Sequence, residues 1–281
     1  MHKLLALALV GACSAGYAQT PATNPMPDGS RDMYVGLGVV SAPRYEGAQD
    51  HKQRALPVFQ VQLSNGFFVS GMSAGMHLSS RPSLEFGPLL AVQPRRSSAG
   101  TAGAIGDPAR LAFAPPSLAR VPDDSKPLEG MAPIDARLQY GAFLNYYLTP
   151  AWRATSSLLW GAGNARNGGK LELGVQRVAV AIGPHHRVSL AAGVTVANGN
   201  YQRAFFGVSD QEAWSSMHPA YRPDGGLMDA SLAARWNWAL TPSWLLTSSV
   251  RATRLLGSAN DSPLVERPTN LTVSTAFAYR F

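Results

Sequence analysis

The feature that most restricts this chain is a run of strict two-residue alternation. In Met228–Leu240, the residues Met228, Ala230, Leu232, Ala234, Trp236, Trp238 and Leu240 are all apolar, while Asp229, Ser231, Ala233, Arg235, Asn237 and Ala239 lie between them. Only an extended strand sends successive side chains to opposite faces. A helix would place Met228, Ser231, Leu232 and Arg235 on one mixed face. The run is longer than the usual soluble strand of roughly five or six residues, and it suits a tilted strand crossing a bilayer. Leu138–Leu148 and Val188–Val196 repeat the pattern; Ala55–Leu63 and Phe68–Leu78 carry it more weakly.

The faces opposite these apolar rows are small or polar: Arg137, Gln139 and Asn145 in one segment, Arg187, Ser189 and Thr195 in another. A soluble antiparallel sheet is also half polar. Strand length and aromatic placement separate the two. Trp152 and Trp160 bracket one strand, Tyr146 and Tyr147 end another, and Trp238 and Trp244 flank a turn. This is the interfacial girdle of a transmembrane barrel, and closure is what satisfies every backbone N–H and C=O in hydrocarbon.

Composition agrees. Apolar residues make up 46% of the 281 and charged residues 15%, too much apolar surface for a disordered chain. The longest apolar run, Leu4–Ala12, is far short of the roughly 18 residues a membrane helix needs. The formal charge is +7, or +6 (7 − 1) without Lys3. Lysines and arginines occur at most in pairs such as Arg95-Arg96, so nucleic acid is not an expected partner. A mild positive charge suits outer-membrane lipid headgroups and lipopolysaccharide phosphates.

Residues 1–18 read as a secretory leader. Lys3 is the basic n-region, Leu4–Ala12 the apolar core, and Gly16-Tyr17-Ala18 the small-residue cleavage site. Val10-Gly11-Ala12-Cys13 loosely resembles a lipoprotein box, the rival outcome in which Cys13 is acylated. With cleavage after Ala18 the mature chain has no cysteine, hence no disulfide and no thiolate site. Residues 19–32 form a polar, Pro-containing linker, and 33–281 the barrel.

Alternation predicts strands near 33–41, 54–63, 67–78, 84–93, 136–148, 152–162, 171–182, 187–198, 228–240, 244–256 and 270–281. That is eleven, whereas bacterial barrels use an even number. Strand direction is consistent up to 93 and from 136 onward, but not across 94–135. A weak strand hidden in 94–135 brings the count to twelve; the alternative is ten, with one short strand misassigned. Tyr147–Trp152 and Ala239–Trp244 both join strands through a short Thr-Pro turn, and Pro cannot join a ladder. Short turns at one end and long connections (94–135, 199–227) at the other follow the outer-membrane pattern of periplasmic turns and extracellular loops. The last strand alternates Leu271, Val273, Phe277, Tyr279 and Phe281 with small or polar residues. An amphipathic final strand ending in an aromatic looks like the address read by the barrel assembly machinery, so Phe277, Tyr279 and Phe281 are the expected assembly signal.

Three groups of residues carry a family resemblance. Gly36-Leu37-Gly38-Val39, Pro43-Arg44-Tyr45-Glu46-Gly47, Leu56-Pro57 and Gly66-Phe67-Phe68 form the first. Phe205-Phe206-Gly207-Val208-Ser209 with Ala220-Tyr221 and Gly225-Gly226-Leu227 form the second. Leu255-Leu256-Gly257-Ser258-Ala259-Asn260-Asp261-Ser262-Pro263-Leu264-Val265 is the third. In this order and spacing the chain resembles the MipA/OmpV family of outer-membrane proteins over most of 33–281, least in 94–135. The resemblance implies an outer-membrane barrel with a scaffold role, binding a lytic murein transglycosylase and a bifunctional murein synthase. It marks Pro43, Tyr45, Glu46, Gly47, Phe206, Gly207, Asp261, Ser262 and Pro263 as loop-motif residues, for loop ordering or partner contact; turn chemistry explains such residues equally well.

Enzyme-like features are weaker. Gly71-Met72-Ser73-Ala74-Gly75 matches G-x-S-x-G, but that motif needs a strand-to-helix turn, and no helical pattern follows here. His185-His186 point apart in an extended chain and lack a third ligand nearby. His77, with Glu85 across the 79–83 turn, could serve a lumen hydrolase; a plain lumen hydrogen bond is the simpler reading. Asp123-Asp124 lies in a Pro-rich loop and reads as solvated. No cofactor, metal or catalytic residue is expected. The expected function is a non-enzymatic scaffold. A narrow solute pore and a lumen or rim lipid hydrolase are the rivals.

Overall fold

The computed structural model describes residues 31–102 and 126–281. The leader, the linker up to residue 30, Cys13 and Asp123-Asp124 lie outside the described residues. In chain order the elements are β1 (Arg31–Pro43), β2 (His51–Leu63), β3 (Phe67–Ser70), β4 (Ser73–Met76), β5 (Leu84–Gln93), β6 (Arg96–Ser97), β7 (Gly100–Thr101), β8 (Arg137–Thr149), β9 (Trp152–Ala162), β10 (Gly168–Ala181) and β11 (His186–Ala197), then α1 (Gly199–Phe206), α2 (Asp210–Ser215), β12 (Gly226–Ala239), β13 (Trp244–Leu255), α3 (Gly257–Asn260) and β14 (Thr269–Arg280). Among the described residues, twelve of these strands close an antiparallel barrel in the order β1-β14-β13-β12-β11-β10-β9-β8-β5-β4-β3-β2, while β6 and β7 pair with each other outside it.

Closure joins the two ends of the sequence. β1 pairs with β14 from Tyr34↔Arg280 to Ser41↔Val273, and with β2 from Arg31↔Leu63 to Pro43↔His51. The alternation read from the sequence sorts the two faces as expected. Leu37 is 71% exposed, Leu138 63% and Leu232 66%, all on the outer surface that meets lipid. Inward neighbours are polar yet buried, among them Gln60, Glu85, Asn145, Arg153, Glu172, Ser189, Asn237, Thr247 and Ser274. Trp152 and Trp160, eight residues apart on β9, are both part-exposed on the outer face. At roughly 3.3 Å per residue and a tilt near 40° they stand about 20 Å apart along the axis. That is close to the height of the apolar band.

The twelfth strand is not where strand direction suggested. β5 pairs directly with β8 from Leu84↔Tyr146 to Gln93↔Arg137, so among the described residues no barrel strand lies between them. Instead 67–78, read as one strand, is a hairpin of two four-residue strands, with Phe67↔Met76 and Ser70↔Ser73 paired. Gly71 takes φ +58 at the first central position of the turn, where a two-residue type II′ hairpin needs glycine. The alternation persists across the turn at the level of residue type, which hides the reversal. Pairing of β2 with β3 stops at Gln60↔Ser70, with Gly71 N donating to Phe59 O as the last rung. Residues two apart on a strand aim their backbone groups the same way. The ring nitrogen of Pro57 therefore faces the hairpin side, where a further rung would need an N–H it lacks.

The turn end carries the short connections and the C-terminus. Thr149 Oγ1 accepts from Ala151 N and Trp152 N, and Thr241 Oγ1 from Ser243 N and Trp244 N. The two Thr-Pro turns are thus the same hydroxyl-capped device. The other end is roofed by the long connections, including α1–α3 and the β6–β7 pair.

Candidate functional site

Three regions could carry function: the barrel interior, the roof at the loop end and the aromatic C-terminal edge.

In the interior, Glu85 and Arg153 are both completely buried, their nearest atoms 3.4 Å apart. Glu85 also accepts from Asn145 Nδ2 at 3.0 Å and Tyr147 OH at 3.1 Å. Arg153 donates to Gln176 Oε1 from Nε and NH2 at 3.1 and 2.9 Å. Neighbouring inward positions continue the pattern. Lys170 meets Glu172 at 2.6 Å, Thr195 donates to Asp229 at 3.1 Å, and Thr247 to Asn237 at 2.9 Å. Charges taken this far from water survive only when paired and hydrogen-bonded. Small residues on β11 and β12, including Ala191, Gly193, Ser231 and Ala233, leave a cavity of about 20 Å³ beside Glu172 and Arg251, room for a water or two.

The enzyme-like residues do not assemble. Ser73 lies at the hairpin turn, followed by strand rather than helix, so the nucleophile-elbow geometry is missing. Gly75 makes room for the Phe68 ring, which a Cβ there would meet at 2.5 Å. His77 is packed between Phe68 and Phe143, with ring centroids 5.1 and 5.2 Å away. Neither of its ring nitrogens has a hydrogen-bond partner, contrary to the lumen hydrogen bond expected for it. Glu85 is near but committed to Asn145, Tyr147 and Arg153. His186 stacks against Trp236 and lies beside Trp238, centroids 5.7 and 5.5 Å apart, while His185 is exposed. Among the described residues no group of three His, Cys, Asp or Glu is placed to hold a metal ion.

The loop-motif residues, far apart in sequence, meet in the roof. Gly47 is the junction. Its N donates to Asn270 Oδ1, and its O accepts from Glu266 N and Arg267 N. A Cβ on Gly47 would press Val265 at 2.8 Å, and its φ of +97 favours glycine. Tyr45 OH donates to Glu266 at 3.2 Å; burial, reinforced by that carboxylate, raises the phenol well above its ordinary value. Ser262 Oγ donates to Phe206 O at 2.6 Å and accepts from Leu264 N. Two apolar clusters lie beneath. One holds Tyr201, Phe206, Met228, Leu255 and Ala259, the other Tyr45, Ala48, Leu128, Met131, Val208 and Leu264. Arg96 threads between them, NH1 donating to Phe205 O at 2.5 Å, and burial pushes its guanidinium down to about 10. Pro43 ends β1 at the entry to the roof, Gly207 caps α1, and Glu46 and Asp261 are exposed. The structure thus gathers these residues in the roof, with Tyr45, Gly47, Phe206 and Ser262 packed inside it and Glu46 and Asp261 on its surface. The helices α1 and α2 were missed, although Ser209-x-x-Glu212 is a readable capping box.

At the turn end, Phe277 stacks on Trp244 (4.6 Å, 12°), Trp244 meets Tyr279 edge-on at 5.0 Å, and Tyr279 meets Phe281 at 5.0 Å. Phe281 N donates to Met33 O, and Arg280 Nε to Asp32 at 2.9 Å, which fastens the final strand to the first.

Comparison with known proteins agrees with this architecture. Outer membrane protein Omp26La of Vibrio anguillarum is 30% identical over 90 residues, covering 32% of this chain and 34% of that one, so the match spans about a third of the relative's length. Solved structures that resemble the fold include an outer membrane channel from Pseudomonas putida F1 (12% identity, TM-score 0.43, 91% of this chain and 97% of that one). Another is the toluene transporter TodX of Pseudomonas putida (10% identity, TM-score 0.39, 96% and 95%). The family model described as MltA-interacting protein MipA matches residues 35–281. With a closed twelve-stranded barrel, a lipid-facing apolar belt and that match over nearly the whole described chain, this outer-membrane protein belongs to the MipA family.

Proposed function

We propose that this barrel is a non-enzymatic membrane anchor that holds a lytic murein transglycosylase, together with a bifunctional murein synthase, at the periplasmic face of the outer membrane. The observation that carries this reading is the packed interior. Many inward polar side chains on β2, β5 and β8 to β14 are buried: Gln60, Glu85, Asn145, Ser157, Glu172, Ser189, Asn237, Thr247 and Ser274 all expose less than a tenth of their surface, while Ser231 and Arg251, beside the small cavity, are half-buried. A water-filled channel leaves its lining accessible; a barrel filled by its own side chains does not. Such a barrel offers surfaces rather than a path. The family description names an interaction with MltA, which favours a protein partner over a solute.

In this reading the leader 1–18 directs export and is cleaved after Ala18, the linker 19–32 precedes the barrel, and Phe277, Tyr279 and Phe281 present the last strand to the assembly machinery. Lipopolysaccharide and lipid surround the belt. The test is site-specific photocrosslinking in growing cells, from positions 81, 184 and 242 at the turn end and 129 and 217 at the roof. The reading expects a transglycosylase adduct from the turn-end positions alone. Adducts from roof positions only, or none containing a murein enzyme, overturn it.

A further inference from the structure

The β3–β4 hairpin is the part of the barrel wall with the shortest ladders. It joins β2 through three residue pairs, Gln60↔Ser70 to Gln62↔Phe68, and β5 through three, Ser73↔Ala91 to Gly75↔Leu89. The flanking ladders β1–β2 and β5–β8 run for thirteen and ten. On the inner side the hairpin is held by a trio of rings. His77, just past the end of β4, lies 5.1 Å from Phe68 on β3 and 5.2 Å from Phe143 on β8, and the two phenyl rings are 5.7 Å apart. All three residues are buried. The His77 backbone is fixed by its N–H, which donates to Gly66 O at 2.8 Å.

A neutral imidazole suits this place and an imidazolium does not. Neither ring nitrogen has a hydrogen-bond partner, so a second ring proton finds no acceptor. The charges facing the ring are Glu85 from β5 and Arg153 from β9. β3, β4 and the 64–66 turn carry no charged residue, and β8 contributes Tyr147, whose hydroxyl is bound to Glu85. Glu85 is already committed to Arg153 and Asn145 as well, and Arg153 repels a second cation. The attraction of a cation for phenyl rings is smaller than the cost of taking an ion out of water.

We propose that His77 is an acid-sensitive latch, whose protonation releases the β3–β4 hairpin from the wall and opens the filled barrel to small ions. The direction follows from where the ring takes up its proton. With the hairpin released, the imidazole meets water and protonates near its ordinary value of about 6.5. Packed between the two phenyl rings, it resists. Falling pH therefore favours the released form, by up to about tenfold per unit below 6.5 and up to about a hundredfold at pH 4.5 relative to neutral. Well above 6.5 the ring is neutral in both forms and the hairpin stays shut. The proposal does not depend on the murein-anchor reading; it needs only a barrel that is closed at neutral pH.

The experiment records current across planar bilayers at pH 7, then at pH 4.5, then again at pH 7. It compares wild type, His77→Phe, His77→Gln and a double variant, Val61→Cys with Val69→Cys. Both imidazole replacements are uncharged at either pH. Val61 and Val69 are directly paired across β2 and β3, within disulfide reach, so oxidation ties the hairpin to the wall. Folding of each variant is checked by the mobility difference between unheated and boiled samples. Wild type is expected to be silent at pH 7, to pass intermittent current at pH 4.5 and to fall silent on return. The acid-induced rise in open time is expected to be at least about tenfold smaller in each folded imidazole replacement. The cysteine pair is expected to respond to acid only after reduction. A wild type as silent at pH 4.5 as at pH 7, or already open at pH 7, overturns the proposal. So does an acid response equal to wild type in a folded imidazole replacement, or acid opening of the oxidised cysteine pair.

Discussion

Replacing Glu85 by Ala tests whether the interior is dry. Glu85 and Arg153 are fully buried and ion-paired, and the carboxylate also receives Asn145 and Tyr147. Removing it strands a buried guanidinium and takes the acceptor from two further donors. Breaking a buried pair from one side costs about 3–5 kcal/mol, most of it the uncompensated charge left behind. Glu85→Gln keeps an acceptor for Asn145 and Tyr147 and is expected to lose less. The double replacement Glu85→Leu with Arg153→Met removes both charges and is expected to return within about 2 kcal/mol of wild type, since apolar replacement of a buried pair is often neutral. Equilibrium urea unfolding in lipid vesicles, read by tryptophan emission and gel mobility, supplies the three values. A Glu85→Ala cost under about 1 kcal/mol would mean that water already solvates Arg153, and the filled-interior argument fails.

Three more outcomes follow from particular contacts. Gly66 takes φ +87, and a Cβ there would collide with His77 O, so Gly66→Ala is expected to cost about 1 kcal/mol or more, seen as a lower temperature for loss of the fast-migrating folded form. Burial works to raise the Glu212 carboxyl, but hydrogen bonds from Ser209 and Ala132, with the Arg96 charge, outweigh it and hold the group below its ordinary value. Its contribution to α2 is therefore present above the unfolded-state carboxylate range near 4.3 and is lost as pH falls through the depressed folded value; hydrogen exchange of the α2 amides, corrected for the intrinsic pH dependence of exchange, should lose protection first there, and α2 equally protected at pH 2 and pH 6 refutes the assignment. Deleting Phe281 removes one backbone bond to Met33 O and one ring contact, at most about 1.5–3 kcal/mol of burial. Detergent refolding yield is expected near normal while outer-membrane yield drops, and equal losses in both would make Phe281 ordinary packing.

What the sequence displayed was periodicity, and it displayed it faithfully wherever a strand crosses the full membrane. Leu138–Leu148 falls within β8, and Ala230–Trp238 within β12, with their apolar rows outward, because one face meets lipid and the other polar neighbours; Met228, beyond a register shift near the loop end of β12, is instead buried in the roof cluster. The reversal at Gly71 was not legible, since a two-residue turn between two short strands preserves the alternation of small and large residues on either side. Strand direction correctly revealed that one strand was missing, but placed it in 94–135, where the composition was weakest. Pro57 and Gly71 together carried the answer, one ending a ladder and the other permitting a tight turn. The roof was legible as motifs but not as a structure: nothing local says that Gly47, Phe206 and Ser262 meet, because their contacts span long stretches of chain. The Glu85–Arg153 pair was hidden for the same reason, each charge appearing as one polar position in an alternating strand.

The account rests on a barrel whose own side chains fill its interior, and electrical conductance measures that directly. Purified protein inserted into planar lipid bilayers, with insertion verified by protease protection of the barrel, is expected to give no stable conductance steps in 1 M KCl. Replacing Arg153 and Gln176 together by Ala removes two of the interior's hydrogen-bonded side chains and is expected to introduce flickering current. Steady, uniform steps from the wild-type barrel would contradict the filled interior and, with it, the reading of this protein as an anchor rather than a pore.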